Sequence, residues 1–260
     1  MDNTEQHDDA KTTLTTTTEE VGKATASTTT TGSAHTSPVR VSPRRVERSY
    51  RLPIGGGGNN NSHVVPPRSI SSHAMIDIET LGTSLESVVV SIGATAFDIQ
   101  TGTLFAEHYS IVDRDSCVAI GLRVDPNNLE WWKTQPSEVR SVTEAAGRPI
   151  RDCLLDLSRF VTTYGCTKVW FYGPEFDESI LRLCYERLKI DAPWKYWDVM
   201  CARTLDFIVP ESRPDRTTPK HNALYDARYQ MAAVISAHHY LAAWRARAME
   251  QSPWFPTTVL

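Results

Sequence analysis

The stretch HAMIDIETLGTSLESVVVSIGATAFD, from His73 to Asp98, is an apolar run in which two acids, Asp77 and Glu79, stand one residue apart. Its pattern otherwise predicts buried strand. Side chains on a strand alternate between faces, so Asp77 and Glu79 point the same way, about 7 Å apart along the backbone. Two like charges in a low-dielectric core need a cation or a proton to offset their repulsion. Either the pair holds metal, or one carboxyl is kept neutral.

Outward from this run the periodicities predict a domain of strands followed by alternating strand and helix. AMIDIE, SVVVSIGATAFD and TLFAEHYSIVD are separated by the short pieces TLGTSLE and IQTG, which suggests an antiparallel meander. DPNNLEWWKTQPSEVRSVTEAA reads as two short helices broken at Pro136. PIRDCLLDLSRFVTTYG reads as an amphipathic helix started by Pro149 and stopped at Gly165. KVWFYG is then a buried strand, and PEFDESILRLCYERLK a helix opened by Pro174, with Ile180, Leu181, Cys184 and Leu188 at helical spacing. A short apolar piece at WDVM leads into CARTLDFIV, and after the polar loop PESRPDRTTPK a long helix runs from about Asn222 to Glu250.

Before His73 the composition changes. Residues 1–72 are rich in Thr, Ser, Gly, Asn and Pro with hardly a large apolar side chain, so the segment cannot offset its ordering entropy and is expected to be a disordered tail. Its piece VRVSPRRVERSYR carries five arginines from Arg40 to Arg51, a solvated linker by default and otherwise a nucleic-acid contact or an address. The expected organisation is therefore a tail over 1–72, one domain over 73–250 and a short tail over 251–260.

The chain has 260 residues, is 40% hydrophobic and carries a formal net charge of -4, which excludes coating nucleic acid or membrane by bulk charge but leaves room for a local basic groove. Its five cysteines are spread without a C-x-x-C pair, as reduced and mostly buried thiols are. No segment approaches the roughly 18 uncharged apolar residues of a membrane span, and the opening MDNTEQHDDA has no signal-peptide core. A soluble, intracellular protein is expected.

Three further charged residues sit where a pure core would not want them. Asp177, in FYGPEFDESIL, falls in the first turn of a helix after a buried strand, and HNALYDARYQ places His221 and Asp226 at the opening of the last helix. Taken singly, Asp177 can be N-terminal charge compensation and Asp226 a solvated helix face. The chain order is more specific: Asp-x-Glu on a first strand, Phe-Asp after a fourth, His-x4-Asp at a final helix.

That order, with DIETLGT, VVSIGATAFD, VDPNNLEWWK, GPEFDESILRLCYERL and WDVMCARTL, resembles the DEDD 3′–5′ exonuclease superfamily in its histidine form over roughly Ala74 to Leu241. The resemblance is closest to the RNase T-like branch, which includes phage exonuclease A-type enzymes and a bacterial exoribonuclease domain. It implies an α/β, RNase H-like fold with a mixed five-stranded sheet flanked by helices. It also implies Asp77, Glu79, Asp177 and Asp226 as metal ligands, His221 as general base, and single-stranded DNA or RNA 3′ ends as partners. Thr80 and Leu81 would line the pocket for the terminal nucleotide. Enzymes of this branch are often dimers, which extends the expectation to a homodimer.

The chemistry asks for the same set. Phosphodiester hydrolysis needs an activated water and charge neutralisation at phosphate and leaving oxygen, which two Mg²⁺ or Mn²⁺ ions about 3.5–4 Å apart supply. Such ions prefer oxygen ligands, hence carboxylates and no cysteine. Asp77 is the expected bridge, with Glu79 and Asp226 on the ion holding the water and Asp177 on the ion at the leaving 3′ oxygen. His221 titrates near neutrality and can take the water's proton. On one helix His221 and Asp226 would face about 140° apart, so His221 belongs before the first full turn. Adjacent Trp131 and Trp132 cannot share a helix face; one is expected in the core, the other stacking on a base. A non-catalytic nucleic-acid-binding module on the same fold is the alternative.

Overall fold

The computed structural model describes residues 72–251, so the tail, its arginine cluster and residues 252–260 lie outside the described residues. Five strands form one sheet in the order β3-β2-β1-β4-β5: β1 Ser72–Thr80, β2 Val89–Asp98, β3 Leu104–Ile111, β4 Lys168–Phe171 and β5 Val199–Cys201. The first three make the expected antiparallel meander, and β4 and β5 add on the far side of β1 in parallel. The result is the mixed, RNase H-like sheet that the resemblance implied. β1 already includes Ser72, whose carbonyl accepts the N–H of Thr167 at 2.7 Å, one residue before the expected boundary.

Every residue of β1 and β2 is buried, because helices cover both faces of the sheet's centre. On one side Ala74, Ile76 and Ile78 join the main apolar cluster with α4 (Ile150–Thr163) and α5 (Asp177–Arg187). α4 buries Ile150, Cys153, Leu154, Leu157, Phe160 and Val161, the stripe its helical period requires. On the other side Met75 and Phe97 meet Ala227, Met231, Val234 and Ile235 of the last helix, α7 (Ala223–Gln251). α1 (Arg114–Ala119), α2 (Pro126–Thr134) and α3 (Ser137–Arg140) lie between β3 and α4, and α6 (Ala202–Ile208) follows β5.

Period-two alternation places Asp77 and Glu79 on the face of Met75, under α7. Asp77 is registered opposite Gly93 of β2. A Cβ at Gly93 would come within 2.2 Å of the Ala223 carbonyl carbon, so the first turn of α7 seats on β2 only because that position lacks a side chain. All five cysteines are free, and Cys117, Cys153 and Cys184 are buried. Among the described residues no helix is long and apolar enough to cross a membrane.

Candidate active site

Asp77 and Glu79 arrive from the C-terminal half of β1, Asp226 from the first turn of α7 and Asp177 from the first turn of α5; all four are buried. One carboxylate oxygen each from Asp77, Glu79 and Asp226 lies within 4.8 Å of the others. Asp177 is outside that group of three, yet among the charges it raises the Asp77 pKa most. Its carboxyl accepts the backbone N–H groups of Ile78 and of Asp177 itself.

Burial comes first and mutual repulsion second in pushing the Asp77 and Glu79 carboxyls well above the ordinary range. Gln230, whose Nε2 donates to Asp77 Oδ1 at 2.7 Å, opposes the rise at Asp77, and Arg216 opposes it at Glu79. Burial lifts Asp177 to about 7 against the pull of its two N–H donors and Arg203. Four buried carboxyls that offer only oxygen, three of them costly to ionise, suit a hard divalent cation. The donor set therefore fits Mg²⁺ or Mn²⁺.

His221 lies just before α7 with φ +64, a left-handed conformation that a non-glycine residue holds only when its surroundings enforce it. Burial lowers its pKa, and Asp226 partly offsets this. The His221 ring meets Trp131 edge to face at 4.9 Å between centroids, and Trp131 meets Trp132 in the same manner at 5.1 Å. Trp132 is only 2% exposed and donates Nε1–H to the Thr80 carbonyl at 2.9 Å, whereas Trp131 is 37% exposed. The two tryptophans thus divide between core and surface. A cleft of about 580 Å³ is lined by Glu79, Thr80, Asn128, Trp131, Trp132 and His221, among others, a volume suited to a small ligand.

Leu81, expected in the wall of that cleft, is instead fully buried in the main apolar cluster. The register shifts between Glu79 and Thr80, and Leu81 leaves the alternation to bond Val88 and Asp125 through its backbone. Gln230 and Arg216 were not anticipated. Gln230 was legible as the i+4 neighbour of Asp226 on one helix face. Arg216 lies in the aperiodic PESRPDRTTPK loop, where spacing carries no signal.

A mixed β3-β2-β1-β4-β5 sheet with acids gathered from its central strand and the facing helices is the RNase H-like arrangement. The 3′-5′ exoribonuclease Rv2179c-like domain model matches residues 72–237, and the chain belongs to that family. It is accordingly a nuclease, a 3′–5′ exonuclease.

Among solved structures, exonuclease I from Methylocaldum szegediense matches with TM-score 0.50 and 14% identity over 69% of this chain and 43% of that one, a likeness of fold. The nuclease domain of 3′hExo, described as a DEDDh family member bound to rAMP, matches with TM-score 0.47 and 10% identity over 68% of this chain and 95% of that one. Exonuclease X, in complex with 5′ overhanging duplex DNA, matches with TM-score 0.44 and 19% identity over 68% and 96%. A search of curated proteins gave no match.

Proposed function

We propose that the chain hydrolyses phosphodiester bonds at the 3′ end of single-stranded nucleic acid, releasing nucleoside 5′-monophosphates. RNA takes precedence over DNA on the family's description. The observation that carries this reading is the meeting of Asp77, Glu79 and Asp226 oxygens within 4.8 Å of one another, with Glu79 and His221 both in the wall of one cleft.

In this reading Asp77, Glu79, Asp177 and Asp226 hold two divalent cations, Mg²⁺ or Mn²⁺. When bound, such ions supply Lewis acidity at the phosphate and acidify water. The protein's own work is orientation and proton transfer. His221, with its pKa lowered by burial, is neutral at pH 7 and accepts the proton of the attacking water. Trp131 offers its exposed indole to the terminal base, and Trp132 fixes that helix to the end of β1 through Thr80. Thr80 sits in the cleft wall, its Oγ1 turned to the Gly82 carbonyl at 2.7 Å.

A non-catalytic binding module is disfavoured because all five positions are filled, and burying Asp77, Glu79 and Asp177 carries an electrostatic cost that binding alone does not need. The comparisons lend the expected homodimer no support, so the proposal concerns the single chain. The test is digestion of matched 5′-labelled and 3′-labelled RNA and DNA strands with Mg²⁺ or Mn²⁺. A 5′-labelled strand should shorten as a ladder, and a 3′-labelled one should release label at once as mononucleotide. Internal cleavage, or cleavage unaffected by chelator, would overturn the reading.

A further inference from the structure

Arg216 stands in the loop between α6 and α7, mostly buried, with its guanidinium shared among four neighbours. Its Nε donates to the Thr218 carbonyl at 3.0 Å, and its Nη2 donates to the Pro219 carbonyl at 2.9 Å and to Asp226 Oδ1. Its central carbon lies 4.8 Å from the centroid of the Tyr229 ring. One side chain therefore ties two carbonyls of the His221 loop to two residues of the first turns of α7. The second Asp226 oxygen accepts the Asn222 N–H at 3.1 Å, one residue beyond His221. The strained backbone of His221 is thus bracketed by two attachments to the same carboxylate.

We propose that Arg216 is a positioning residue: it latches the 216–221 loop onto Asp226, so that the proton acceptor is held in place by one of the carboxylates of the acid cluster. The inference rests on the reading of His221 as base and Asp226 as ligand given above. A planar guanidinium suits this role because its donors are fixed in one fork, whereas a lysine ammonium is a single point charge that cannot hold three acceptors at set angles. Arg216 also places positive charge beside Glu79, so the side chain that orders the base competes electrostatically with any cation there. Removing it should therefore have effects of opposite sign: turnover falls while cation binding holds or tightens.

The test uses the full chain with Arg216→Ala, Arg216→Lys, His221→Ala and the Arg216→Ala/His221→Ala double variant. MnCl₂ binding is followed by calorimetry without nucleic acid, and kcat and KM are measured on a 5′-labelled single-stranded RNA. Arg216→Ala should lower kcat ten- to hundredfold, change KM less than about threefold, and bind Mn²⁺ at least as tightly as wild type. Arg216→Lys should restore little of kcat, which a role of charge alone would not produce. It also carries the test if the alanine variant does not fold. In the His221→Ala background the Arg216→Ala change should cost less than about threefold.

A kcat loss that persists in full beside His221→Ala, Mn²⁺ binding weakened tenfold or more, or near-normal kcat in Arg216→Ala would each overturn the latch alone. A His221→Ala protein with wild-type rate would instead overturn the assignment of the base, and the latch with it.

Discussion

Asp177→Asn isolates the electrostatic cost of the acid cluster. In the folded protein the carboxyl titrates at about 7 against an ordinary 3.8. At about 1.4 kcal/mol per pH unit, ionising it in place costs roughly 4 kcal/mol. The folded state keeps the proton up to about pH 7 and the unfolded chain releases it near 3.8, so this contribution is full below 3.8 and is lost as pH rises to 7. Asparagine has no charge to desolvate, but its single acceptor oxygen serves the N–H groups of Ile78 and of residue 177 less well, at a cost of about 1–2 kcal/mol. Without divalent ions at pH 8 the variant should be more stable than wild type by about 2–3 kcal/mol, or about 4–12 °C in Tm for a domain of this size. The advantage should vanish at pH 5. Mn²⁺ should stabilise wild type more than the variant and narrow or invert the gap. The assay is calorimetric melting from pH 5 to 8 with EDTA and then with Mn²⁺. No gain at pH 8 in EDTA, or an equal gain at pH 5, would refute the reasoning.

Trp132→Ala should lose about 3–5 kcal/mol in denaturant unfolding, while Trp131→Ala should keep its stability and weaken single-strand binding by about 1–3 kcal/mol; equal stability losses with unchanged binding would remove the stacking role. His221→Ala should retain Mn²⁺ binding by calorimetry and lose about 10²–10⁴-fold in rate. Because burial lowers the His221 pKa, the acidic limb of the wild-type pH–rate profile should lie below pH 6.5 and be absent from the variant. Deleting residues 1–71, which stops short of Ser72 in β1, should leave metal-dependent cleavage intact in the labelled-strand assay; loss of folding would move the domain boundary upstream.

The acids were legible because ionisable side chains inside an apolar run are expensive, and Asp77 and Glu79 announce that cost in sequence. His221 was placed before the helix by simple angular arithmetic, and the structure has α7 begin at Ala223. α1 was missed: a single short helix leaves too few turns for a period to register, although Asp113, whose Oδ1 accepts the Ser116 N–H at 2.8 Å, carries a capping signal. Leu81 came from the resemblance alone, and its burial follows a register shift between Glu79 and Thr80 that the residue pattern does not announce.

The seat that Gly93 provides for α7 also orders events in time. Asp77 and Glu79 sit on a hairpin of neighbouring strands, while Asp226 comes from a helix some 150 residues later in the chain and reaches them only when that helix lies down on β2. Like charges therefore converge at a docking step, and the repulsion is complete only once the native arrangement is complete. A divalent ion that relieves it gains its full set of ligands only then. Its kinetic signature should be a slower unfolding limb with an unchanged folding limb, measured by stopped-flow with and without Mn²⁺; a folding limb accelerated by Mn²⁺ would mean that the carboxylates gather earlier.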